Sequence, residues 1–162
     1  MGRWRAPVKP SAPYITQAGY EALEAEQKGL WSKRHEVVKH LSAAAAEGDR
    51  SENAEYIYRK KQLREMDRRI GYLERRMPKL KIIREQPSVD KVFFGAYVDL
   101  IDDEGETFLY RIVGSDEIGN APEHISVDAP VARALLGKQV DDEVTIALAG
   151  RSVTYVIESI RY

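Results

Sequence analysis

The segment Tyr56–Leu80, YIYRKKQLREMDRRIGYLERRMPKL, carries a helical rhythm. Tyr56, Arg59, Leu63, Met66, Ile70, Leu73, Met77 and Leu80 follow one another at alternating steps of three and four, and only Arg59 among them is polar. Such spacing is a coiled-coil seam of about four heptads. Gly71 within it costs about 1 kcal/mol relative to alanine. Pro78 predicts a kink or an end to the helix. Upstream, a less regular stripe runs Tyr20, Leu23, Gln27, Leu30, Arg34, Val37, Leu41, Ala44. Thr16 suits its N-cap, with Gly19 a weak spot in the first turn, and Gly48 breaks the pattern. Two helices of about 30 residues, joined across Glu47–Ser51, predict an antiparallel hairpin roughly 45 Å long. A hairpin with so little core of its own suits a probe or strut.

Beyond the hairpin the pattern changes. Pro87-Ser88 marks a linker, and β-branched and aromatic runs follow at Val92–Phe94, Tyr97–Ile101, Thr107–Val113, Val144–Ala147 and Val153–Ile160. Gly- and Asp-rich turns separate them, and Pro130 and Gly137 bracket a short helix. The chain therefore reads as α+β. A flexible arm (1–13) carries Pro7, Pro10 and Pro13. A helical hairpin (14–86) and an antiparallel sheet packed on one short helix (87–162) follow.

The charges divide at the same place. The chain has 162 residues and a formal net charge of -1. Residues 1–87 hold 19 Lys and Arg against 12 Asp and Glu, whereas residues 88–162 hold 6 against 14. Two modules with different partners are implied, the first suited to a polyanion. There is no cysteine, which excludes disulfide scaffolds, Cys-ligated zinc, iron–sulfur clusters and thiol catalysis, and fits a reducing cytoplasm. No apolar run approaches the roughly 20 residues of a membrane span. The first residues lack the apolar core of a secretory signal.

Chemistry-bearing residues concentrate in the hairpin. His35, His40 and His124 are scattered and predict neither a metal nor a catalytic site. At the tip, Asp49-x-x-Glu52 has the spacing of a capping box, and carboxylates there suit the helix macrodipole. The same pair at an exposed tip can also hold a hard divalent cation, weakly, with another molecule completing the shell. The two readings coexist, since a cap fixes the geometry of such a site. Behind the tip, Arg50–Arg84 holds 12 basic and five acidic residues. That excess exceeds what pairing within the helix requires and points to a polyanion.

Gly48-Asp49-Arg50-Ser51-Glu52-Asn53-Ala54-Glu55-Tyr56 resembles the tip signature of the bacterial GreA/GreB transcript-cleavage factors. Tyr58–Ile70 and Lys91–Val98 are closer to the GreB branch. Arg111–Glu117 and Ile125–Lys138 are similar to the family as well, so the resemblance covers about residues 14–161 in order. It implies a coiled-coil hairpin and an FKBP-like C-terminal domain. It implies a cytoplasmic, monomeric factor that is not itself an enzyme. Such a factor binds bacterial RNA polymerase at the secondary-channel rim, reaches the nascent RNA 3′ end, and stimulates cleavage of backtracked RNA. Asp49 and Glu52 would share a Mg²⁺ with the polymerase as the catalytic pair. The basic patch Arg59, Lys60, Lys61, Arg64, Arg68 and Arg69 would face RNA. Asp128 and Pro130 match the polymerase-docking loop, with Ala129 where relatives often carry serine. No prolyl isomerase activity is expected. Two alternatives fit the same residues: a channel-binding paralogue that inhibits without stimulating cleavage, and a general nucleic-acid-binding coiled coil.

Overall fold

The computed structural model describes residues 9–46, 54–84 and 90–162. The elements are β1 (Tyr14–Thr16), α1 (Gln17–Ala46), α2 (Ala54–Arg76), β2 (Lys81–Ile83), β3 (Tyr97–Asp102), β4 (Thr107–Val113), β5 (His124–Ser126), α3 (Pro130–Leu135), β6 (Glu143–Leu148) and β7 (Arg151–Arg161). They form two compact units. One joins the residues up to Gly19 with Lys81–Tyr162, and the other is Tyr20–Leu80.

The helical unit follows the two stripes. In α2, Met66, Ile70 and Leu73 are buried, as is Met77 just beyond, while Tyr56, Arg59 and Leu63 are half-buried. In α1, Leu23 and Val37 are buried and the other stripe positions are half-buried. Each fully buried aliphatic side chain contributes about 1.5–3 kcal/mol. Among the described residues, two ion pairs cross between the helices. Arg34 meets Asp67 at 2.6 Å, and Arg69 grips Glu26 through two hydrogen bonds of 2.6 and 3.0 Å. Pro78 ends the α-helix as its chemistry requires: a 3-10 turn, Met77–Lys79, replaces it.

The second unit is a five-stranded sheet in the order β5-β4-β3-β7-β6. The pairs β3–β4, β3–β7 and β6–β7 are antiparallel, as expected, whereas the short edge strand β5 joins β4 in parallel. The sheet is therefore mixed. Alternation selects the buried face: Val98 and Leu100 on β3, Val144 and Ile146 on β6, Tyr155 and Ile157 on β7. Ala132 and Leu135 of α3 belong to the same core. Val92–Phe94, expected as a strand, is irregular. Its backbone is committed elsewhere: Val92 N–H donates to Lys138 O at 2.9 Å, and Val92 O accepts from Gly137 N–H at 2.7 Å.

The boundary of the hairpin differs from the expected 14–86 span. Strand β1 pairs in parallel with β2, with Ile15 opposite Ile82, so both ends of the hairpin sequence belong to the sheet unit. Ile15 is fully buried. Three-residue strands carry no readable periodicity, which is why the sequence reads both as the ends of the hairpin. Thr16 is the N-cap of α1: its Oγ1 accepts the Gly19 N–H at 3.0 Å.

Glu117 is 1% exposed and pairs with no cation among the described residues. Three donors satisfy it instead. Its Oε2 accepts Thr16 N–H at 3.0 Å and Gly114 N–H at 2.8 Å, and its Oε1 accepts the Thr16 hydroxyl. Gly19 and Gly114 make room for this arrangement. A Cβ on Gly19 would overlap the Glu117 carboxylate, and one on Gly114 would overlap the Tyr14 carbonyl. Gly19 is thus a clearance around Glu117 as well as a poor helix former.

Tyr162 closes the unit at its end. Its hydroxyl accepts Phe93 N–H at 3.0 Å and donates to Lys91 O at 2.7 Å. Burial pushes its phenol above the usual value, an effect the Phe93 N–H partly offsets. Burial and the neighbouring Tyr155 likewise raise Tyr110. A phenol whose folded pKa exceeds its unfolded value contributes stability that is complete below about pH 10 and lost as pH rises through the folded pKa. Urea denaturation from pH 8 to 11 is expected to show this loss, and the double variant Tyr110→Phe, Tyr162→Phe to show a shallower one. Equal slopes in the two proteins would reject the assignment.

Candidate functional site

Two of the predicted site residues, Asp49 and Glu52, lie outside the described residues. The remaining ones fall into two groups, one in each unit. Among the described residues, no cluster of three or more His, Asp or Glu side chains could hold a metal ion.

The first group lies on α2. Lys60, Lys61, Arg64 and Arg68 are exposed, whereas Arg59 and Arg69 are half-buried. The seam spacing explains the division. Arg59 occupies a seam position, where its guanidinium lies 3.8 Å from Glu55 and 3.4 Å from the Gln62 side-chain oxygen. Its Nε is buried without a hydrogen-bond partner. Arg69 is the partner of Glu26 and lies 5.2 Å over the Tyr72 ring. Both residues therefore serve the hairpin's own packing. Lys60, Arg64 and Arg68 recur every fourth residue and share one face of the helix. Lys60 sits 5.9 Å over the Tyr56 ring. Arg64 and Arg68 make no ion pair among the described residues. These exposed cations are the part of the patch able to meet phosphates. Beside them a groove of about 380 Å³ runs between the helices, lined by Leu30, Tyr58, Lys61, Met66 and other side chains.

The second group lies where β5 passes into α3. Ala129 is the N-cap residue of α3, in extended conformation and without a side-chain cap, and Pro130 begins the helix. Asp128 stands one residue earlier. Its N–H donates to Ser126 Oγ at 3.1 Å, and its Oδ1 lies 3.9 Å from the Arg133 guanidinium. Its Oδ2 accepts the Ala12 N–H at 2.8 Å. The arm expected to be free through residue 13 is therefore held at its end, since Pro13 O also accepts Lys81 N–H at 2.7 Å. Sequence reasoning missed this contact and the Glu117 clasp. No local pattern marks a backbone amide whose partner lies 116 residues away. Glu117 offers only a weak signal, an acidic residue between Gly114 and Gly119.

Comparison with known proteins places both units. The family model described as transcription elongation factor, N-terminal, matches residues 13–82. The model for the GreA/GreB C-terminal domain matches residues 86–162. Transcription elongation factor GreB of Xanthomonas axonopodis pv. citri (strain 306) is 51% identical over 165 residues, covering 100% of this chain and 98% of that one. The corresponding Yersinia pestis protein is 52% identical over 151 residues, covering 92% of this chain and 88% of that one. A solved structure of the transcription factor Gfh1 is 24% identical and covers 95% of this chain and 100% of that one. The TM-score between the two is 0.46.

Proposed function

We propose that this chain, which belongs to the GreA/GreB family of transcription elongation factors, acts in the cytoplasm on backtracked bacterial RNA polymerase. The sheet unit docks at the rim of the polymerase secondary channel through the Asp128–Pro130 loop. The hairpin enters the channel, and its tip stimulates the polymerase to cut its own nascent RNA. The chain is then a stimulator of another enzyme's reaction and not an enzyme itself.

The observation that best supports this reading is the exposed cationic face of Lys60, Arg64 and Arg68, on the helix that begins just after the Asp49/Glu52 segment. A polyanion running along that face would reach the tip carboxylates. Helix α1 alone, with 30 residues, spans about 45 Å, enough to reach a deeply recessed site. Asp49 and Glu52 would contribute oxygen ligands to a Mg²⁺ shared with the polymerase, which supplies the charge stabilisation that phosphodiester hydrolysis needs. Two carboxylates are too few to hold Mg²⁺ tightly, so the site would fill only in the complex. If Asp49 and Glu52 form the capping box that their spacing suits, the same geometry would bring their carboxylates together.

The test is direct. A stalled, backtracked elongation complex carrying 5′-labelled RNA receives the protein and Mg²⁺. Shortened RNA that can be re-extended supports the reading, and uncut RNA in a complex that binds the factor rejects it. The cationic face has its own expected result. Arg64→Glu with Arg68→Glu should lower cleavage several-fold and make it less sensitive to added salt. Loss of two phosphate contacts reduces the log–log salt slope by about 1.4 for a single strand. An unchanged rate and an unchanged slope would remove RNA from that face.

A further inference from the structure

We propose that the segment Lys9–Pro13 is a positioning element of the docking surface, in which the Ala12 amide presets the Asp128 carboxylate for its partner protein. The inference rests on the reading of Asp128 and Pro130 as polymerase-docking residues and adds to it a role for the proline-spaced arm.

The arm's end is fixed independently of Asp128. Pro13 O accepts Lys81 N–H at 2.7 Å, and β1 continues that contact as a parallel pair with β2. The Tyr14 ring meets Phe94 edge-on, with centroids 6.0 Å apart. Thr16 is bonded by the buried Glu117 through both its N–H and its hydroxyl. Ala12 therefore stands two residues ahead of an anchored strand, and Pro13 confines it to extended conformations. Its N–H is a donor fixed in space before any partner arrives.

That donor meets Asp128 Oδ2 at 2.8 Å. On the other side, the Arg133 guanidinium faces Oδ1 from 3.9 Å, a longer and weaker hold. The carboxylate is thus oriented through one oxygen. A carboxylate has roughly four acceptor sites, so most of its capacity stays open to donors from outside. The Asp128 side chain is 34% exposed, so an outside donor can reach it. A side chain already held in one rotamer loses less freedom when a partner binds, and that saving appears as affinity. The partner surface this fits offers N–H donors or a basic side chain to Oδ1.

Ala12→Pro tests the contact. It removes the N–H, and its ring suits a residue that Pro13 already keeps extended. The full-length protein is titrated against RNA polymerase, and factor-stimulated cleavage is followed as a function of factor concentration. The half-saturating concentration is expected to rise about three- to tenfold, with the plateau rate kept. Ala12→Gly, which retains the N–H, should restore tight binding. In an Asp128→Ala background, Ala12→Pro should have no further effect, because the acceptor is gone. Unchanged affinity in Ala12→Pro overturns the inference. An equal loss with and without Asp128 also overturns it, since the arm would then act elsewhere. If Asp128→Ala itself binds as tightly as the unaltered protein, the docking reading fails and takes the inference with it. If the unaltered protein does not bind polymerase at all, the proposed function fails first.

Discussion

Asp49→Asn, and separately Glu52→Gln, are expected to reduce cleavage of backtracked RNA by about a hundredfold or more while leaving affinity for the polymerase almost unchanged. The choice of substitution matters. Asparagine caps a helix as well as aspartate does. Glutamine three residues after a cap serves a capping box as glutamate does. Both variants therefore keep the capping capacity of the pair and remove only negative charge. A hard divalent cation discriminates strongly between a carboxylate and a neutral amide. The polymerase complex is thus where the two readings of this pair separate. A helix cap alone predicts cleavage at the normal rate in both variants. A shared Mg²⁺ predicts its near disappearance, partly recovered at high Mg²⁺ concentration. If binding is lost along with cleavage, the tip is a docking element. If the unaltered protein binds and never stimulates cutting, the chain occupies the channel as an inhibitor.

The parts of the fold that were legible in the sequence are those with periodicity. Met66, Ile70, Leu73 and Met77 are buried because a three-four rhythm keeps them on one face of α2. Val98 and Leu100, or Val144 and Ile146, alternate inward for the analogous reason in a strand. Strands β1, β2 and β5 have three residues each, too few for either rhythm to show. Val92–Phe94 has strand composition, but composition does not state where its backbone hydrogen bonds go. The cationic patch was legible by residue type alone. Whether an arginine faces out or is held within the hairpin depends on a partner such as Glu26, which lies 43 residues from Arg69. The clasp was invisible for the same reason, since the two Thr16 donors lie 101 residues from their acceptor.

That clasp supplies the largest expected effect on stability. Glu117→Ala removes the acceptor for two backbone N–H groups and one hydroxyl in a site where Glu117 is 1% exposed. Each orphaned buried donor costs about 1–3 kcal/mol, less where water enters the space left behind. A total of about 3 kcal/mol is expected, which lowers the melting temperature of a chain this size by roughly 6–12 °C. Glu117→Gln should cost far less. Its amide oxygen can take the place of Oε2, which accepts both N–H groups. Its amide nitrogen can then donate to Thr16 Oγ1 in place of accepting from it. The contrast between the two variants separates the pattern of hydrogen bonds from the presence of a charge. Gly114→Ala approaches the same junction from the opposite side. Its methyl group would overlap the Tyr14 carbonyl, a backbone atom unable to swing away, so β1 must shift. Thermal melts by circular dichroism, with amide hydrogen exchange at Thr16, Gly19 and Gly114, measure both effects. Faster exchange at these three positions in Glu117→Ala would locate the damage at the start of α1. A melting temperature within about 1 °C of the unaltered protein would mean that water replaces the carboxylate at no cost, and the clasp would then hold nothing.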